Sequence, residues 1–490
     1  MENQNIQSRV TIPACTTKTA CDSSSALEQA QRQENELQTP TSNEFTDSQY
    51  QRFTPARKSI ITAVLSFCGF LAPMSSTAVL SALPEVADEF GTTGDIISLS
   101  NALFMASMAL SPLFFGPMSQ LYGRRIIMVA CAAIFCAASA LTAAAPNLAV
   151  YFVARIITAF QGTSFLVVGA SCLSDVFAPS ERATALGWFL SGTTIAPAIA
   201  PFLGGVLVTY ARWRDIFWLQ TGLAGLAVVL LYLFLPETFP NPLISAHSGQ
   251  GLRVHVSLLA KALNPWAVLV IMYREPTVLL VALASAAVVW NIYSILTPIR
   301  YIINPRFQLT SPLQSGLVFL VPGAGSLMGT FLGGRWADRY VRKYMAKRGR
   351  RVPEDRLRSC VWSLGVIIPG AILIYGWTIQ TEVGGMPVPF IAMFVQGVFQ
   401  MFCIPSLNTY CLDVLQPQGR SAEAVSCNYL LRYLAAAIDS GTVLPIVSSI
   451  GVGWFCVITC GMLILSTVGV LCSIRFGEGW RNRRQSEKPS

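Results

Sequence analysis

Long apolar runs recur along almost the whole of this chain and constrain it more than any other feature. At least ten approach the roughly 20 consecutive apolar residues that a helix needs to cross a bilayer. In lipid every backbone amide must find its partner within the segment, so each run reads as a helix. Of 490 residues, 53% are hydrophobic and only 12% charged, against about 25% charged in a soluble domain. The net charge of +9 would point to nucleic acid in a soluble protein. Here the basic residues fall in alternate loops, which is a topology signal, and no nucleic-acid partner is expected.

Spans are predicted at about 59–79, 96–115, 126–144, 148–172, 184–208, 215–234, 277–298, 314–333, 359–377, 388–411, 422–446 and 452–473. Residues 1–56 are polar, with no apolar run, and read as a disordered cytosolic tail. Residues 57–238 form one six-helix half, 239–275 a cytosolic linker, 276–474 a second half and 475–490 a basic cytosolic tail. Lys and Arg crowd the loops on one side, which places both termini in the cytosol. The outer loops after the fifth and seventh spans are the exception, with Arg212, Arg214, Arg300 and Arg306. The fold class is therefore an all-α membrane protein of twelve helices, in the plasma membrane or a vesicular or vacuolar one.

The halves are related by internal repeats. Gly116-Pro-Met-Ser-Gln-Leu-Tyr-Gly-Arg-Arg125 recurs as Gly334-Arg-Trp-Ala-Asp-Arg-Tyr-Val-Arg-Lys343, each a basic hairpin between apolar runs. Asp175-Val-x-x-Pro179-x-x-Arg182 recurs as Asp413-Val-x-x-Pro417-x-x-Arg420. Two parallel halves with a site between them near the midplane make a transporter architecture.

The hairpin resembles the loop between helices 2 and 3 of the major facilitator superfamily, and its copy the degenerate loop between helices 8 and 9. The resemblance covers roughly residues 55–485. Ser81-Ala-Leu-Pro84, Trp188-Phe-Leu-Ser-Gly-Thr193, Trp213-Arg-Asp-Ile-Phe-Trp218, Leu235-Pro-Glu-Thr238, Pro353-Glu-Asp-Arg356, Pro405-Ser-Leu-Asn-Thr-Tyr410 and Gly477-Glu-Gly-Trp-Arg481 are similar to segments of its fungal twelve-helix drug:proton antiporters. The resemblance implies a latch between the halves built on Gly116, Gln120, Gly123, Arg124, Arg125, Asp175, Asp338, Arg339 and Arg342. Gln120 stands where the family has an Asp, so the latch in the first half is expected either to be weaker or to use Asp175 as the substitute anion.

Helix 5 carries Ala196-Pro-Ala-Ile-Ala-Pro-Phe-Leu-Gly-Gly205, which resembles the proline–glycine element of proton-driven antiporters. Gly192, Ala196, Ala200 and Gly204 form a stripe at i, i+4 spacing, as do Gly325, Gly329 and Gly333 on helix 8. Small residues let helices approach closely in lipid. The family implies that helices 5 and 8 meet, so the stripes, with Pro197, Pro201 and Gly205, are expected to face each other as a hinge.

A charge placed mid-membrane is a functional candidate by default. Arg155 matches the arginine of the family's helix-4 motif, linked to proton transfer. Asp439 is the one carboxylate placed deep in a span, and Arg432 lies seven residues before it, roughly 10 Å along the axis and too far to pair. These three are the proton-coupling candidates. Ser75 stands where many drug antiporters have an Asp, which puts more weight on Asp439 and Arg155. Asn101, Gln161, Trp290, Asn291, Tyr293, Gln396, Gln400 and Asn408 are the substrate-cavity candidates. Aromatics and amides with few charges suit an amphipathic organic molecule.

The expected function is proton-coupled export of such a compound, a fungal secondary metabolite, toxin or drug. Import or facilitated passage of a nutrient or polyamine is the alternative, although a polyamine calls for more cavity acids. The expected partners are that compound, protons and the bilayer, with a monomer as the working unit. Thirteen cysteines lie mostly in apolar runs and read as buried free thiols. Both histidines, His247 and His255, fall in the linker. No metal, cofactor or enzymatic constellation is expected.

Overall fold

The computed structural model describes residues 52–238, 270, 272–309, 311–349, 352–415 and 421–486. Most of the tail predicted at 1–56 and of the linker predicted at 239–275 lies outside these. Among the described residues, twelve helical spans are long and apolar enough to cross a membrane. They are built on α1 (Pro55–Thr77), α2 (Gly94–Tyr122), α3 (Arg124–Ala143), α4 (Leu148–Val176), α5 (Pro179–Tyr210) and α6 (Trp213–Phe234), then α7 (Pro276–Leu296), α8 (Pro312–Arg348), α9 (Ile368–Gln380, lengthened by the π-helical Ser363–Ile367 before it), α10 (Pro387–Leu415), α11 (Ser421–Ile450) and α12 (Val452–Ser486).

Local chemistry marks the helix ends. The Asn147 side chain caps α4 by accepting from Val150 N at 2.9 Å. Ser311 and Gln314 form a capping box at α8, followed by Pro312 at the first turn, which together satisfy donors that the helix itself cannot. Gly349, at φ +71°, ends α8, a conformation that costs a residue with a Cβ.

Five boundaries differ from the sequence expectation. Helix α1 begins at Pro55, inside the predicted tail. The first basic hairpin stays helical through Tyr122 and turns at Gly123 alone, φ +98°. Its copy is no hairpin: α8 runs unbroken through Gly334–Lys343, because no glycine takes a positive φ there. The loop expected around Arg300 is a π-helical stretch, Ile299–Ile303, that prolongs α7. The basic segment from Arg475 likewise continues α12 to Ser486.

Helices α1–α6 pack among themselves, α7–α12 among themselves, and the pairs α2–α11 and α5–α8 join the two groups. Helices α1, α4 and α7 have the most buried spans. Leu226, Val229 and Leu233 of α6 and Leu465, Val468 and Leu471 of α12 stand outward and exposed. Such a surface suits acyl chains, which are as apolar as leucine. Every described cysteine is a free thiol.

Candidate functional site between the halves

The polar groups buried between the halves form one chain of contacts. Arg155 of α4 is 1% exposed. It donates to the Ser75 carbonyl of α1 at 2.7 Å and to Asn101 Oδ1 of α2 at 3.0 Å. Its guanidinium also lies 4.2 Å from the Phe104 ring centroid, a cation–π contact strengthened by desolvation. Asn101 then reaches across, donating from Nδ2 to Ser440 Oγ of α11 at 3.1 Å. The Ser440 carbonyl accepts from Ser98 Oγ at 2.6 Å. Next to Ser440, Asp439 is fully buried and accepts from Ser294 Oγ of α7 at 2.7 Å, while its second oxygen has no partner. Tyr293 of α7 closes toward Ser76 of α1, their hydroxyls 3.4 Å apart.

Four of the predicted residues, Arg155, Asn101, Asp439 and Tyr293, thus belong to one region. Arg432 lies elsewhere on α11, bonded to Asn408 Oδ1 of α10 at 3.0 Å, and Asn408 also accepts from Asn428. Gln396 donates to Gln400 Oε1 at 2.9 Å, and Gln400 donates to Ser326 Oγ of α8 at 2.6 Å. Trp290 turns toward Val443, Leu444 and Phe455, inside the second half. Asn291 and the Gln161 carbonyl are buried without partners.

The expected hinge is corrected. The two small-residue stripes do not face each other. A Cβ at Gly192 would meet Ser66, and one at Gly204 would meet Ser81 and Ala78, all of α1 or its short extension. Gly325, Gly329 and Gly333 back onto Phe394, Val398 and Met401 of α10. Each stripe seals its own half. Of the expected hinge, Pro201 and Gly205 do meet α8: with Phe202 they pack against Pro312 and Gly316, and Ala198 packs against Gly323.

The expected latch is corrected in part. Arg124 pairs with Asp175 at 3.2 Å and donates to Ser119. The backbone N–H groups of Arg124 and Arg125 donate to the Glu237 carboxylate at 2.8 and 3.1 Å. Through these contacts the hairpin ties α2, α3, α4 and the end of α6. Gly116 keeps it close to the second half: a Cβ there would lie 3.9 Å from Ser426 Oγ of α11. Asp338 pairs with Arg356 at 3.5 Å, within its own half. Glu237 was missed as a site residue, although a lone acid after a helix end, opposite two arginines, is a readable signal.

At the other end of the bundle Arg300 forms an ion pair with Glu85 of the α1–α2 connection, joining the halves. Arg300 also donates to Ser315 at 3.0 Å. Glu89 accepts from Trp213 and, at 2.8 Å, from Arg214. Burial works to raise its carboxyl, but the Arg214 and Trp213 hydrogen bonds and the Arg214 and Arg212 charges outweigh it and hold it below the usual range. Glu85, Glu89, Trp213 and Arg214 also line a cleft of about 430 Å³. Of the four arginines that looked exceptional for an outer loop, Arg214, Arg300 and Arg306 are held by acids.

Twelve helices in two six-helix groups, joined by α2–α11 and α5–α8 around buried polar side chains, define a membrane transporter rather than an enzyme. The family model described as Major Facilitator Superfamily matches residues 65–439, and the chain belongs to that superfamily. It is 23% identical over 539 residues to "MFS antiporter QDR3" of Candida albicans, covering 84% of this chain and 77% of that one. It is 26% identical over 423 residues to "Efflux pump radE" of Floropilus chiversii, covering 82% and 77%. The solved D-xylose–proton symporter superposes with a TM-score of 0.63 at 15% identity, covering 84% and 96%, which establishes the fold alone.

Proposed function

We propose that this protein exports a small amphipathic organic compound, driven by proton entry, through alternating access of the two halves. The observation that carries the reading is the buried contact chain Arg155–Asn101–Ser440, beside Asp439 and Ser294, which spans both halves. An isolated carboxylate is costly in an apolar interior. Rocking the halves changes what surrounds Asp439, and so whether it holds a proton. The same motion must break the Asn101–Ser440 bond, so proton state and conformation are linked through adjacent residues. Relatives named as an antiporter and an efflux pump support the direction. The end carrying Arg124, Arg342 and Arg481 faces the cytosol by the positive-inside rule, in a plasma or vesicular membrane, with the monomer as the working unit.

The driving force is adequate. A potential of 100 mV contributes about 2.3 kcal/mol per charge, and two pH units about 2.7 kcal/mol. One proton then sustains a gradient of roughly a thousand-fold for a neutral substrate. The test is untargeted metabolite profiling of medium and cell extract from the native host with and without the gene. A compound that moves from medium into cells on deletion, and does the same in the intact strain under a protonophore, supports the reading. A compound that stops entering cells instead overturns it in favour of import.

A further inference from the structure

Most buried or half-buried arginines of this protein sit against a carboxylate. Arg124 has Asp175, Arg214 has Glu89, Arg300 has Glu85, Arg306 has Glu382 and Arg481 has Glu354, each within ion-pair distance. Among the described arginines that are buried, Arg155 and Arg432 have none. Arg155 is compensated in part by two hydrogen-bonded oxygens and by the Phe104 face. Arg432 is compensated less. It is 8% exposed, Asn408 Oδ1 is its one acceptor among the described residues, and its Nε, like that of Arg155, is buried without an acceptor.

A guanidinium cannot shed its proton to escape this cost. Two permanent positive charges without a carboxylate are therefore held within α4 and α11, and among the described residues Asp439 is the one buried carboxylate in a span. The surroundings of Arg432 are those of a recognition site. Tyr429 lies beneath the guanidinium at 5.3 Å, and Tyr429 and Tyr433 stack at 5.8 Å with their rings 10° from parallel. Both tyrosines belong to an apolar cluster with Phe104, Met105 and Met108 of α2 and Tyr293 of α7, so the wall they form spans the junction of the halves.

We infer that Arg432 is the anion-recognising residue of the substrate site, and that the transported compound is an aromatic acid. Its carboxylate or equally acidic group is taken by the guanidinium, and its ring lies on the Tyr429–Tyr433 wall. A carboxylate matches the free edge of a guanidinium with two parallel hydrogen bonds. This assignment rests on the transport reading above and adds the charge of the cargo. It also gives Arg432 a role apart from proton transfer.

The test is a binding titration of the full-length protein in nanodiscs of zwitterionic lipid, so that no anionic headgroup competes. The probes are 1-naphthaleneacetic acid, 1-naphthaleneacetamide and 1-naphthylmethylamine, which present one ring with an acid, a neutral and a cationic group. Wild type should bind the acid tighter than the amide by roughly 10- to 100-fold, the range of a charge-assisted hydrogen bond, and the amine weakest. Arg432→Gln should erase the preference, and Arg432→Lys should keep part of it. The wild-type comparison stands even if Arg432→Gln fails to assemble. Acid and amide binding alike, an amine binding tightest, or a preference that survives in Arg432→Gln overturns the assignment. No proton gradient is imposed, so a failure of proton coupling leaves this result readable on its own.

Discussion

Asn101 of α2 and Ser440 of α11 are hydrogen-bonded at 3.1 Å across the two halves. The other end of the same amide accepts from Arg155 at 3.0 Å. One side chain thus holds a buried cation and spans the junction that must open in a transport cycle.

Replacing Asn101 with Leu removes both contacts at similar size. Arg155 keeps the Ser75 carbonyl as its hydrogen-bond acceptor, and the Phe104 ring. We expect a loss of about 1–3 kcal/mol in stability, the range for a buried donor left unmade, read as a lower midpoint in thermal unfolding. Asn101→Asp, which supplies a carboxylate to Arg155, should recover most of that midpoint. Equal midpoints for Asn101→Leu and wild type would show that the contact carries no weight.

Asp439→Asn keeps the shape and the Ser294 contact but cannot carry a proton. In proteoliposomes, a pH step of two units should raise the steady-state gradient of the cargo by roughly a hundred-fold in wild type. It should raise it not at all in Asp439→Asn. A variant that still follows the pH step would remove Asp439 from the coupling.

Glu85→Gln breaks the ion pair with Arg300 while sparing the backbone. The pair is partly exposed, and such pairs contribute up to about 1 kcal/mol. Hydrogen exchange at the starts of α2 and α8 should therefore quicken by at most about fivefold. Unchanged exchange would mean that the ion pair does not help to close this end.

Glu89 gives a pH signature. Its carboxyl lies below the ordinary value, because the Arg214 and Trp213 contacts overcome burial. Stabilisation from a lowered carboxyl is present above the unfolded-state value and is lost as pH falls through the folded-state value. Wild type should therefore outlast Glu89→Gln in thermal unfolding at neutral pH, and the gap should close in acid. A gap that widens in acid reverses the sign and refutes the pairing.

Gly323 and Gly329 separate two roles for small residues on α8. A Cβ at Gly323 runs into Ala198 of α5, whereas one at Gly329 runs into α10. Gly323→Val should wedge the halves apart, lowering transport with little change in the unfolding midpoint. Gly329→Val should lower the midpoint itself, by about 1–3 kcal/mol of overpacking. Equivalent effects would mean that both glycines serve one interface.

Much of this protein is legible from its residues alone, because a bilayer leaves the backbone few choices. Apolar runs of sufficient length must be helices, so the twelve spans and the repeat of the two halves could be read directly. The charges within spans could also be named, since Arg155, Arg432 and Asp439 are conspicuous against such a background. Partners could not be read. A run of small residues shows that something packs closely there, but the rotation of α8 decides that Gly325 meets α10 rather than α5. Arg155 calls for acceptors, but only packing brings Asn101 and the Ser75 carbonyl to it instead of a carboxylate. The basic repeat looked like two turns, yet Gly123 turns the chain while the copy stays helical. Each of these depends on contacts between residues far apart in sequence, where local pattern carries no information and the close fit of neighbouring helices decides.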